Sequence, residues 1–292
     1  MVVGAPFIRG LGRLNAVSIK RVLTHLYGFD KTGQMRRAVH NAIRVFLLAV
    51  ICAAPVSESS GTSALALRSR YRIVLAADSR AVYSANRVAT ECKLFEIRDV
   101  YATVSGLAHY GTKYRATDAI KDGFAKQGSF QDHVSATAYF LRQRIERLLS
   151  NLRQTNPSTY RSLWLRSSQT ADFVQLAVAQ SVNGRPMLGM VELRRASGES
   201  SFTTSTTVCP GNCDRNEAIF YLGYWERIQP YVADSGQPRT IASAASIDRL
   251  IHMEMDAHPA EVGAPINILE LNGSGARWLQ NGGNCLLPGV GW

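Results

Sequence analysis

The sequence lacks any apolar run of membrane-spanning length. Its most conspicuous uncharged apolar stretch, Val45–Ala54, is ten residues long, whereas a helix needs about 20 to cross a bilayer. Acidic residues are scarce, 22 against 33 Lys and Arg, for a net charge of +11. The excess is uneven: residues 1–60 hold eight bases and two acids, while residues 61–292 hold 25 and 20. No basic run with interleaved aromatics follows, so no nucleic-acid partner is expected. Histidine and cysteine are too scattered for a metal centre. His109, His252 and His258 stand apart, and His252 and Asp256, one helical turn apart, have no third ligand in view. No metal and no cofactor are expected. There is no internal repeat of solenoid period and no linker after residue 61, and a 46% hydrophobic content is that of an ordinary globular protein.

What is present begins with a leader. Met35-Arg36-Arg37 opens a short basic segment closed by Arg44, the apolar run follows, and Pro55-Val56-Ser57 lies beyond small residues. This is the layout of a secretory signal peptide. It places a mis-called start at residues 1–34, the signal peptide at 35–54 and a short propeptide at 55–61. An Arg-rich transit segment and a single membrane anchor are the alternatives. The expected location is exported, periplasmic or secreted, and otherwise membrane-anchored or cytoplasmic; membrane contact is expected only through the leader. Loss of Cys52 with the signal leaves Cys92, Cys209, Cys213 and Cys285, an even number that suits an oxidising compartment. Cys209-Pro-Gly-Asn-Cys213 is a tight turn whose ends are a disulfide candidate.

From Gly61 the pattern is of strands, with alternation over 62–68, a short apolar run at Ile73–Ala77, and further strands at Lys93–Ile97 and Val100–Val104. Helical spacing takes over at 112–127 and 131–153. Strands return at Phe173–Ala179, Met187–Leu193, Ser201–Val208 and Ala218–Leu222, with a hairpin turn at Asn183-Gly184. Thr240–His258 is a further helix, Ile266–Leu271 a strand, and 281–292 a Gly-rich tail. The order predicts one α+β domain over 62–280, a four-layer αββα sandwich of two mainly antiparallel sheets.

The chemistry concentrates at Gly61-Thr62. A small-residue junction precedes a Thr that opens a strand, and Asp78 of Ala76-Ala77-Asp78-Ser79-Arg80 follows sixteen positions on. A Thr freed at the N-terminus supplies a hydroxyl nucleophile and an α-amine base together, the amine having a pKa near ~8. A nearby Lys lowers that pKa, and a carboxylate holds the Lys.

These residues resemble β-type subunits of the proteasome and their bacterial relatives, within the N-terminal-nucleophile hydrolases. The resemblance covers about 61–271 and is specific over 61–106. It implies processing at Gly61, a nucleophile at Thr62, and Lys93 tuning the amine with Asp78 orienting it. The spacing to Lys93 is one residue shorter than in the family. The resemblance also puts an oxyanion-binding N–H at Gly106, in Ser105-Gly106, and a supporting acid at Asp256. Where the family has a Gly-Ser turn, the chain reads Gly223-Tyr224, so a Tyr hydroxyl would substitute; where it has a supporting Ser, the chain has Pro259. The implied activity is threonine-type peptide hydrolysis on a peptide or protein substrate, in a homo-oligomer of stacked rings. The rival readings are a catalytically silent subunit of the same fold and a small-molecule amidase.

The expected outcome is a mature chain beginning at Thr62. N-terminal sequencing from the native host tests it, and a chain that still carries Pro55–Gly61 would refute it.

Overall fold

The computed structural model describes residues 62–84, 87–166, 172–195, 201–213, 217–234, 243–283 and 285. The expected start, signal peptide, propeptide and Gly61 lie outside the described residues. So does nearly all of the tail beyond Gly283.

Small and large apolar residues alternate along β1 (Ser63–Arg68): Ala64 and Ala66 on one side, Leu65 and Leu67 on the other. All four are buried, so neither face meets water. Such a strand belongs inside a sheet covered on both sides. β1 pairs with β2 (Arg72–Ala77), and the sheet is completed by β12 (Ala218–Gly223), β13 (Asn267–Asn272) and β14 (Gly275–Gln280). Its order is β12-β1-β2-β13-β14. The second sheet has the order β11-β10-β9-β6-β5, from Phe202–Cys209, Arg185–Arg195, Asp172–Val182, Val100–Gly106 and Leu94–Ile97 respectively. Every pairing in both sheets is antiparallel. Two small ribbons lie outside them, β3 (Arg80–Ser84) with β4 (Arg87–Thr90) and β7 (His109–Tyr110) with β8 (Tyr114–Arg115).

The layers follow from which side chains meet. Ala64, Ala66, Leu75 and Leu269 of the first sheet cluster with Ala177, Ala179, Leu188 and Met190 of the second, so the sheets pack face to face. Side chains facing the partner sheet from β1 are alanines, which lets two layers approach without a void. The opposite face of the second sheet, with Val104, Leu176 and Val191, packs on helices α1 (Ala116–Phe124) and α2 (Phe130–Thr155). Leu65, Leu67 and Val74 of the first sheet pack on α4 (Ile228–Asp234) and α5 (Ala244–Ala257). This is an α+β sandwich with helices outside two sheets. Among the described residues, no helix is long and apolar enough to cross a membrane.

Local chemistry explains several boundaries. Ser129 and Asp132 form a capping box at the start of α2. Asn183 (φ 52°) and Gly184 (φ 74°) both take the left-handed conformation that a two-residue hairpin turn demands. The sequence pattern ends the second helix before Pro157, yet a further helix, α3 (Pro157–Arg166), begins there. Pro at the first helical position lacks only an N–H that would be unpaired anyway, and the Asn156 side chain accepts from Thr159 N at 3.2 Å.

The described residues include two disulfides. Cys209 and Cys213 are linked across their turn, with Cα atoms 5.2 Å apart. Cys92 and Cys285, separated by 193 residues, are joined with Cα atoms 4.9 Å apart. Closing a loop of that length removes about 5 kcal/mol of unfolded-chain entropy in the chain-entropy picture.

Leu176 is fully buried in the middle of β9. Leu176→Ala is expected to cost about 2–5 kcal/mol. Urea unfolding should show this as a lowered midpoint with an unchanged slope.

Candidate active site

Thr62 immediately precedes β1 and is 4% exposed. Three neighbours fix its carbonyl end. Tyr224 N donates to Thr62 O at 2.8 Å. Ser63 Oγ returns a hydrogen bond to Tyr224 O at 3.0 Å. Gly223, at φ 76°, fits between them only as glycine, because a Cβ there would run into the Thr62 carbonyl oxygen and crowd the Ser105 hydroxyl. The end of β12 and the end of β6 thus meet at Thr62.

Asp78 follows β2, which lies beside β1, so an antiparallel pair one strand wide carries it back to the Thr62 end. Its carboxylate is fully buried and accepts four hydrogen bonds. Oδ1 accepts from Ser63 N at 2.9 Å and from Lys93 Nζ at 2.8 Å. Oδ2 accepts from Arg80 N at 3.0 Å and Gly263 N at 3.1 Å. Burying a carboxylate without such donors is costly. Lys93, just before β5, is 5% exposed. Burial pushes its ammonium pKa down, and the Asp78 charge and hydrogen bond only partly offset this. The unfolded chain therefore binds this proton more tightly. The resulting penalty on stability is present below the folded pKa and eases as pH rises from there towards 10.5.

Gly106 closes β6 at φ 82°, and a Cβ there would collide with the Phe173 carbonyl, so the turn after Ser105 requires glycine. Sequence reasoning missed Gln175, whose Oε1 accepts from Gly223 N at 2.8 Å while its Nε2 donates to Asp172 at 2.9 Å. A glutamine inside the apolar run Phe173–Ala179 was the available signal, since a buried amide must find partners.

The supporting shell differs from expectation in two places. Asp256 is exposed on α5. The segment that reaches Asp78 lies further on: Arg80 Nη1 donates to Pro259 O at 2.5 Å, and Gly263 O accepts from Ser79 N at 3.0 Å. A helix end followed by a turn separates Asp256 from that segment. Tyr224 meets Thr62 through its backbone, and its ring lies against the His258 imidazole at 4.4 Å between centroids. The structure thus gathers Thr62, Asp78, Lys93, Ser105-Gly106 and Gly223-Tyr224, and leaves Asp256 outside.

No family model matches the chain, and no curated protein does. Among solved structures it is similar to Anbu, the ancestral β-subunit, from Yersinia bercovieri, at 14% identity and TM-score 0.46 over 75% of this chain and 87% of that one. A Gly-1 mutant of Anbu from Hyphomicrobium sp. strain MC1 aligns at 15% identity and TM-score 0.46, again over 75% and 87%. The Anbu complex of Pseudomonas aeruginosa, described as a helical assembly, aligns at 16% identity and TM-score 0.47 over 72% and 81%. These structures correct the resemblance to proteasome β-type subunits: the similar structures are ancestral β-subunits, a related but different family. The pattern Thr62–Asp78–Lys93 occupies one strand pair and its neighbour, too local a feature to separate two related families. The likeness transfers no residue's role to this chain.

Asp78→Ala would strand the Lys93 charge and three backbone N–H groups, and is expected to cost about 3–5 kcal/mol. Adding Lys93→Met should cost less than the sum of the two single changes. Denaturant titration of the four proteins measures this, and additivity within ~0.5 kcal/mol would show that the pair is uncoupled.

Proposed function

We propose that the chain is the precursor of a threonine-type amidohydrolase with an N-terminal-nucleophile fold, acting on peptide bonds. The observation that carries this reading is the buried Asp78–Lys93 pair bonded to the Thr62–Ser63 peptide. An ordinary strand start has no use for a desolvated ion pair at its first amide, since such a pair is costly to bury.

In processing, Thr62 Oγ1 attacks the Gly61 carbonyl carbon and the Gly61–Thr62 C–N bond breaks, moving the acyl group to oxygen. Water then hydrolyses the ester, releasing the residues up to Gly61 with a carboxylate and Thr62 with a free amine. In turnover that amine, neutral, takes the hydroxyl proton as Oγ1 attacks a substrate carbonyl. The developing oxyanion is held by the Gly106 N–H, and the proton passes to the departing amine. Water cleaves the acyl-Thr62 ester. Lys93 keeps the α-amine pKa low, and Asp78 holds Lys93 in place. Export through the leader and assembly of copies of the chain belong to the same proposal.

A second reading is a silent relative of the same fold. Pro259 stands where the family resemblance places a supporting hydroxyl, the segment after it meets Asp78 through the Gly263 N–H, and the Tyr224 ring is turned onto His258.

Thr62→Ala is expected to leave the residues before position 62 attached and to abolish hydrolysis of a panel of peptides and acyl-amides. Intact mass and turnover are read together. An unprocessed, inactive wild-type chain would establish the silent reading, and cleavage of acyl-amides alone would establish a small-molecule amidase. For an active enzyme, kcat/KM should fall on the acid side as the α-amine, ordinarily near ~8, becomes protonated.

A further inference from the structure

We infer that Glu226, Glu254 and His258 form a binding site for a divalent first-row metal ion, beside Thr62 but separate from its chemistry. Glu254 and His258 lie one turn apart at the end of α5, and Glu226 stands in the loop between β12 and α4. One donor atom from each lies within 4.8 Å of the others.

Glu254 is completely buried, and its two oxygens differ. Oε1 accepts from Arg227 N at 2.6 Å and Ile228 N at 2.9 Å, capping the first turn of α4. Oε2 is buried with no hydrogen-bond partner. A carboxylate oxygen withdrawn from water needs a cation or a donor. The nearest cationic candidate is His258, whose Nε2 lies 3.6 Å from Glu254 Oε2 and 3.6 Å from Glu226 Oε2. Both separations exceed hydrogen-bond range. They suit donors arranged around a shared ion: tetrahedral bonds of about 2.0–2.1 Å place neighbouring donors about 3.3–3.4 Å apart.

One imidazole and two carboxylates suit Zn²⁺ and its first-row neighbours better than Ca²⁺ or Mg²⁺, which take oxygen ligands. Three protein ligands leave one position for water. The ring of Tyr224 packs on His258, and Tyr224 N holds Thr62 O. Bound metal would therefore clamp the 223–228 loop to α5 and stiffen the backbone around Thr62. Processed and unprocessed chains would both bind it, so the inference does not depend on the role given to Thr62.

The test is titration of the chelator-stripped full chain with Zn²⁺ by calorimetry, and with Co²⁺ by visible absorption. One equivalent is expected to bind with a concentration-dependent rise in Tm. Glu226→Gln, at an exposed loop position, should keep the metal-free Tm and weaken binding at least ~10-fold, as should His258→Gln. His252→Ala, which alters the neighbouring His–Asp248 pair, should leave binding intact. Absence of saturable one-equivalent binding, binding unchanged in both ligand variants, or loss of binding in His252→Ala would overturn the inference.

Discussion

A carboxylate with no exposure to water is the constraint from which the rest of this structure follows. Four donors converge on Asp78, and they come from four separate places: the start of β1, the start of β3, the residue before β5 and the turn at Gly263. None of these segments can shift alone without leaving a buried charge or a buried N–H unpaired. The ion pair with Lys93 thus works as a clamp on backbone geometry, and Thr62 lies inside that clamp.

The sandwich supplies the rigidity the clamp requires. Two sheets packed through alanines and leucines leave little room for rotation, and helices on both outer faces keep water away from β1 and β2. Glycines finish the work where strands end. Gly106 and Gly223 take positive φ values that let backbone come within contact of backbone, so the nucleophile candidate sits where two strand ends converge.

Much of this was legible in the sequence because it is local. Alternation marks β1, Asn183-Gly184 marks the long hairpin, and the grouping of Thr62, Asp78 and Lys93 is what the family resemblance implies. What was not legible depends on distant partners. Helix α4 starts where it does because Glu254, 26 residues away, caps it. Helix α3 was hidden by Pro157, a residue that ends helices in one position and begins them in another. Helix phase alone does not say which turn of the chain folds back onto Asp78, so the approach of Gly263 could not be read from the pattern. The meeting of Glu226, Glu254 and His258 is not legible in the sequence, because Glu254 and His258 belong to the last turn and cap of one helix and Glu226 to a distant loop.

The bond between Cys92 and Cys285 has a topological consequence. It fastens the residue before Lys93 to a position 193 residues away, making most of the domain a covalent ring. A single backbone break anywhere between those cysteines opens the ring without releasing a piece: both fragments stay in one molecule until the disulfide is reduced. Lys93 would then keep its tether to the far end of the chain even in a nicked protein, so damage to a surface loop need not become loss of the site.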